Sequence, residues 1–158
     1  MATSRRPVSE EPCRDRLCGI RGVLLKEVRL RNRPEAVAAG RREVVASAAA
    51  WGLPGEIAQD AETCVSELVT NAVKHATGLP DSTLRLLVIR SGDRLRVEVH
   101  DAGRELPRPR RPDPCDESGR GLFIVGFLAA GHGTYLTATG KAVWFELAAW
   151  PKPGHADR

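Results

Sequence analysis

The chain has 158 residues and a formal net charge of +4, with 42% hydrophobic and 28% charged residues. This length and composition predict a single globular domain with its own core, and no apolar run approaches the roughly 18 residues of a membrane helix. The arginines are scattered and lack interleaved aromatic residues, which argues against nucleic acid as the main partner. The N-terminus has no apolar signal core, so we expect a cytoplasmic protein.

The first part of the chain predicts a tail, a strand and a helix. Residues 1–20 are polar and aperiodic, so we expect a disordered tail ahead of a domain over residues 21–150. VLLKEVRL, residues 23–30, predicts a strand. Pro34 and the acidic residue after it predict the start of a helix, which Gly52 ends.

A second helix and a hairpin follow. The apolar pattern of residues 55–77 indicates the helix, and a Gly-Leu-Pro sequence ends it. Residues 83–90 and 94–101 predict two strands of an antiparallel hairpin joined by a Ser-Gly-Asp turn. The second strand alternates, which predicts an apolar face and a polar face: Leu95, Val97 and Val99 on one, Arg96, Glu98 and His100 on the other. Residues 102–118 carry four prolines and almost no apolar side chain, which is typical of a functional lid or a disordered segment.

The C-terminal part predicts one more helix and one more hairpin. GRGLFIVGFLAAG, residues 119–131, indicates an apolar helix opened by glycines. GTYLTATGKAVWFELAAW then predicts two strands that turn at Gly140-Lys141, and residues 151–158 form a flexible tail. The four cysteines match no standard zinc spacing, and we expect reduced, mostly incidental thiols, with a redox or metal role for Cys13 and Cys18 left open.

Polar residues follow one stripe of the second helix, in ELVTNAVKH. At about 100° per residue, Asn71 lies about 40° from Glu67, Lys74 about 20° and His75 about 80°. An amide oxygen beside a carboxylate can hold Mg²⁺ and a water, and two bases a turn further on could reach phosphate oxygens. The alternative is a solvated helix face stabilised by the proximity of Glu67 and Lys74.

Two glycine-containing motifs flank the Pro-rich segment. Asp101 ends a strand, and Gly103 would let a flat ligand lie against the backbone; an ordinary turn is the alternative. Gly119 and Gly121 open the third helix, where exposed backbone N–H groups can bind an anion; a flexible hinge is the alternative there.

The order of these elements resembles the ATP-binding domain of the gyrase, heat-shock chaperone, histidine kinase and mismatch-repair (GHKL) superfamily. ELVTNAVKHA, DESGRGL and GKAVWFEL are especially similar to stand-alone bacterial anti-sigma-factor serine/threonine kinases of the actinobacterial type. The resemblance covers about residues 24–149. It implies a Bergerat ATP-binding fold: an α/β two-layer sandwich with a mixed, mostly antiparallel sheet and three helices on one face.

The resemblance also implies roles for particular residues. Asn71 matches the Mg²⁺ ligand, and Glu67 matches the catalytic acid that polarises a water or the attacking hydroxyl. Asp101 matches the carboxylate that binds the adenine amino group, with Gly103 behind the ring. The remaining residues implied to bind the nucleotide are Lys74, His75, Gly119, Arg120, Gly121, Leu122 and Thr139.

The sequence departs from the family pattern at two positions. The first glycine box often reads D-x-G-x-G, whereas Glu105 stands at its fifth position here. The last strand often carries a hydroxyl residue after Gly-Lys, whereas Ala142 stands here, so an adenine contact from a hydroxyl would come from Thr137 or Thr139.

The resemblance implies an ATP- and Mg²⁺-dependent serine/threonine protein kinase that phosphorylates a small STAS-type antagonist and sequesters a sigma factor. It also implies a homodimer. The alternative is a nucleotide-dependent binding module that changes partners without transferring phosphate. A nucleic-acid binder would instead show salt-sensitive DNA binding.

Overall fold

The computed structural model describes residues 22–75, 82–104 and 120–152. The predicted N-terminal tail, most of the predicted lid and three of the four cysteines lie outside these residues. The described elements are β1 (Val23–Arg31), α1 (Glu35–Ala50), α2 (Gly55–His75), β2 (Thr83–Ser91), β3 (Arg94–Asp101), α3 (Arg120–Leu128), β4 (Gly131–Leu136) and β5 (Lys141–Ala148).

The five strands form one sheet in the order β1-β2-β3-β5-β4, and each of the four pairings is antiparallel. One face of the sheet and the three helices share a single apolar core. The expected two-layer sandwich is thereby confirmed. None of the helices in the described ranges combines the length and apolar character needed to cross a membrane.

The position of β5 decides what surrounds the end of β3. β5 follows β4 in the chain but lies between β3 and β4 in the sheet. Its first residue, Lys141, is therefore the register partner of Asp101, the last residue of β3. α2 packs over both β3 and β5.

The short α1–α2 connection follows from a helix-capping motif. Gly52 has a φ of 67°, a conformation that costs glycine little, and it follows α1 directly after Trp51. Its N–H donates to the carbonyl of Ala49, and the N–H of Leu53 donates to the carbonyl of Ala48. These two hydrogen bonds satisfy carbonyls at the end of the helix as a Schellman motif does.

The alternation predicted for β3 is present, but its polar face is buried. Arg96 is 5% exposed and Glu98 is 1% exposed, although both lie on the sheet face opposite the helices. They belong to a group of charged and aromatic side chains that we call the outer-face cluster, consisting of Arg96, Glu98, His100, Tyr135, Trp144 and Glu146. Hydrogen bonds and stacking within this cluster replace the water that a polar face would otherwise contact.

The final hairpin turns earlier than the sequence suggested. Lys141 already belongs to β5, and the N–H of Thr137 donates to the carbonyl of Gly140. The turn therefore lies at Ala138 and Thr139, rather than at Gly140-Lys141. Glycine is needed at position 140 for close packing against β3, as described below, and this requirement resembles a turn signal in the sequence.

Candidate functional site

The polar stripe of α2 meets the start of α3. Glu67 and Asn71 are half-buried, whereas Lys74 and His75 are exposed at the end of the helix. Gly121, in the first turn of α3, is buried against Glu67: a Cβ at this position would overlap the Glu67 carboxylate. Glycine at position 121 thus lets the N-terminal turn of α3 approach the acid of α2.

Asp101 ends β3 with one oxygen bonded and the other without a partner. The residue is 7% exposed. Its Oδ1 accepts a hydrogen bond of 2.7 Å from the N–H of Gly103, and its buried Oδ2 has no hydrogen-bond partner among the residues that the structure describes. Buried polar atoms are nearly always paired in native proteins, so this oxygen is a candidate acceptor for a ligand's donor.

The surroundings of Asp101 act on its charge in opposite directions. Burial raises the pKa of Asp101 above its ordinary value, while the charge of Lys141, the Gly103 N–H, and the charges of His75 and His100 lower it. The effect of His75 is informative because this residue belongs to α2. The C-terminal end of the α2 stripe therefore lies near enough to Asp101 for the charge of His75 to act on its carboxylate.

Gly140 and Lys141 are parts of this site that the sequence analysis did not identify. A Cβ on Gly140 would overlap the carbonyl of Asp101, so the start of β5 lies directly against the end of β3. Lys141 is 5% exposed and lies opposite Asp101 in register. The sequence analysis interpreted Gly140-Lys141 as a turn, because local patterns do not show which strand these residues would contact.

Three further residues implied by the resemblance to bind the nucleotide lie in α3 and in the β4–β5 turn. Arg120 begins α3 and is exposed, and Leu122 is half-buried in the same helix. Thr139 is exposed in the β4–β5 turn, whereas its neighbour Gly140 contacts Asp101. Gly119 lies outside the described residues, as does Glu105.

Ala142, the other departure from the family pattern, lies away from Asp101. It is fully buried and pairs with His100. Because neighbouring residues of a strand point to opposite faces, its side chain lies on the outer face, whereas Lys141 shares the face of Asp101. A hydroxyl at position 142 would not lie beside the Asp101 carboxylate.

The geometry at Asp101 fits the edge of an adenine ring. Oδ2 offers an acceptor to an amino group, and the two glycines that contact Asp101, Gly103 and Gly140, add no side chain beside it. Among residues 22–75, 82–104 and 120–152, no group of three His, Cys, Asp or Glu side chains could hold a metal. Mg²⁺ binds proteins through one or two side chains when substrate phosphates supply further ligands, which suits Asn71.

Comparison with known proteins shows which family the chain resembles. Residues 30–147 match the family model described as the histidine kinase-like ATPase domain. No curated protein matches the chain. A solved structure of the RsbU and RsbW domains of Rv1364c from Mycobacterium tuberculosis is similar in fold, with a TM-score of 0.59 and 20% sequence identity.

That similarity covers 80% of the present chain but only 34% of the mycobacterial chain. The family model spans most of the chain and includes Glu67, Asn71, Asp101 and Gly121. The chain therefore belongs to the histidine kinase-like ATPase domain family.

Proposed function

We propose that this protein is a cytoplasmic anti-sigma regulator that binds ATP with Mg²⁺ and phosphorylates a serine or threonine of a small STAS-type antagonist. The observation that carries the nucleotide part is the buried Oδ2 of Asp101, which has no hydrogen-bond partner within residues 22–75, 82–104 and 120–152. A buried acceptor selects a ligand with a matching donor, since an unmatched ligand leaves a buried polar group unpaired.

Each remaining role rests on a described contact or position. Asn71 would hold Mg²⁺ together with the phosphates, and the ion would neutralise charge on the transferred group. Glu67 would orient or deprotonate the attacking hydroxyl. The contact between Glu67 and Gly121 supports this role because it brings the acid to a helix N-terminus, where backbone N–H groups favour phosphate.

The proposed partners are a sigma factor and its antagonist, and a homodimer is the proposed assembly. The support is the similarity of ELVTNAVKHA, DESGRGL and GKAVWFEL to stand-alone anti-sigma-factor kinases, together with the fold shared with a protein that contains an RsbW domain. When the antagonist is phosphorylated or absent, the sigma factor would remain bound.

The test is to incubate the purified protein with γ-labelled ATP and candidate antagonist proteins. Glu67→Gln should retain nucleotide binding and lose phosphotransfer by on the order of 10²-fold or more, whereas Asn71→Ala should lose Mg²⁺-dependent ATP binding. Glu62→Gln, a change on the same helix away from the stripe, is the matched control. ATP binding without any transfer would favour the binding-module alternative, and no ATP binding at all would refute both.

A further inference from the structure

Lys141 is a buried lysine that the proposed chemistry does not use. It is 5% exposed and begins β5 directly opposite Asp101. Residues opposite each other in an antiparallel pair have Cβ atoms about 4.5–5.5 Å apart and share one face of the sheet. Charged side chains are rarely buried without a partner of opposite charge. The position of the Lys141 ammonium relative to the Asp101 carboxylate therefore needs an explanation.

Packing at two glycines fixes Lys141 beside the Asp101 carboxylate. Gly140 holds the start of β5 against the carbonyl of Asp101, because a side chain there would overlap this atom. At Gly103, a Cβ would lie 2.9 Å from Oδ1 of Asp101 and 3.9 Å from Nζ of Lys141. The ammonium and the carboxylate therefore approach the same point of the backbone.

The two oxygens of Asp101 differ in what they can offer a ligand. Oδ1 already accepts the Gly103 N–H, which leaves Oδ2 as the available acceptor. Burial disfavours a bare carboxylate, and a protonated carboxyl group would present a donor as well as an acceptor. Only the ionised form is restricted to accepting, and it therefore selects an amino group over a carbonyl oxygen.

We propose that Lys141 is a positioning residue for nucleotide selection: its ammonium keeps Asp101 ionised, so that the site accepts a 6-aminopurine and rejects a 6-oxopurine. This inference rests on the proposed nucleotide-binding function and adds the residue that sets its base specificity. The other charged groups facing Asp101 are His75 from α2 and His100 from β3 itself.

The first test compares ATP and ITP binding by calorimetry in the wild type and in Lys141→Met between pH 6 and 9. The wild type should favour ATP at every pH. In Lys141→Met the ATP affinity should fall on the order of 10-fold at pH 6 and recover as pH rises, while ITP binding should weaken less. His75 and His100 are present in both proteins, so the difference between the two profiles isolates the effect of Lys141.

Two controls separate charge from structure. Lys141→Arg keeps the charge and should restore the flat wild-type profile, and Lys26→Met removes an exposed lysine of β1 and should change nothing. In the double variant Lys141→Met/Asp101→Asn the pH dependence attributed to Asp101 should disappear. A loss that is equal for ATP and ITP and independent of pH would overturn the proposal, because it would indicate a contact between Lys141 and the phosphates.

A second test needs no nucleotide. The ¹³C resonance of the Asp101 carboxyl group should titrate at least about one pH unit higher in Lys141→Met than in the wild type, a tenfold change in the proton-binding constant. An unchanged titration in a protein that binds ATP would overturn the role of Lys141 alone. A wild-type protein that binds no ATP would refute the proposed function, and with it any part of Lys141 in nucleotide selection.

Discussion

Glu98 and Asp101 are two buried carboxylates of one strand, three residues apart, and their surroundings differ completely. Glu98 accepts hydrogen bonds from Arg96 at 2.7 Å and from Tyr135 at 2.7 Å, and His100 lies at 2.8 Å from it. Asp101 has one bonded oxygen and one buried oxygen that no residue in the described part of the chain hydrogen-bonds.

The pKa values of Glu98 and Asp101 are shifted in opposite directions. Burial raises the pKa of Glu98, but the hydrogen bonds from His100, Tyr135 and Arg96 outweigh it and lower the pKa to about 2. Burial raises the pKa of Asp101, and there the opposing groups do not outweigh it. A carboxylate with every partner supplied stabilises the fold, whereas one with an oxygen left over is suited to binding.

Removing the Glu98 side chain should have the largest effect. Glu98→Ala removes one of the two carboxylates that bond the buried Arg96 and leaves Glu146 as its remaining carboxylate partner. Breaking a buried ion pair costs about 3–5 kcal/mol, and we expect a loss near the lower end of this range. Urea unfolding should show this loss in the free energy of unfolding. Glu27→Ala, which breaks an exposed ion pair to Arg85 in the same sheet, is the control and should cost about 1 kcal/mol or less. Equal losses would show that the outer-face cluster has no special role.

The pH dependence of stability should carry opposite contributions from the two groups. Glu98 has a folded pKa of about 2 against an ordinary value of 4.5. Its stabilisation is complete above about pH 4.5 and is lost as pH falls towards 2, by roughly 3 kcal/mol. Asp101 has a raised pKa, so its ionisation costs stability as pH rises above its ordinary value of 3.8.

Urea midpoints between pH 2.5 and 7 for the wild type, Glu98→Gln and Asp101→Asn measure both contributions. The stability that Glu98 provides over Gln should shrink as pH falls. The difference between the wild type and Asp101→Asn should change in the opposite direction. Parallel slopes in the two difference profiles would contradict the contrast between the carboxylates.

Asp101→Asn should impair binding without impairing the fold. The amide cannot supply a charged acceptor at Oδ2, and a hydrogen bond to a charged group contributes about 1.5–3 kcal/mol, or roughly 10- to 100-fold in affinity. Calorimetry with ATP should show this loss, while the unfolding free energy at pH 7 should stay level or rise. A variant that unfolds while its remaining folded fraction still binds ATP would assign Asp101 a structural role.

Gly121→Ala should have the smallest effect. The added methyl group overlaps the Glu67 carboxylate, which lies at the end of a flexible side chain and can move away. Stability should therefore stay nearly constant, since alanine also favours the helix, whereas phosphotransfer should fall by about an order of magnitude because the acid is displaced. Gly126→Ala in the same helix is the control, and equal transfer in both variants would separate Gly121 from the site.

Local patterns were sufficient to predict the order of the helices and strands and several residues of the candidate site. The period of two in β3 predicted its faces, and Asp101 and Gly103 were identified because strand end and glycine are adjacent in the chain. Lys141 was missed because the insertion of β5 beside β3 depends on the whole sheet. The burial of Glu98 was missed for the same reason: Tyr135 lies 37 residues away and hydrogen-bonds it from β4.

The position of Glu67 could be predicted from the sequence only in part. Its helix and its polar stripe follow from periodicity, which is a property of neighbouring residues. Its contact with Gly121 depends on how α3 packs against α2, and this is decided by tertiary structure. The sequence could therefore suggest the acid but could not show that the N-terminal turn of α3 reaches it.

The outer-face cluster also constrains how the sequence can diverge. Arg96 bonds Glu98 and Glu146 and stacks at 3.8 Å over Trp144, so changes at these positions are not additive. A survey that substitutes one position at a time should find each of them intolerant. Replacing the buried charges together with apolar residues of similar volume often costs little or even stabilises. We therefore expect that the residues of the cluster can be replaced together, although single substitutions among them are not tolerated.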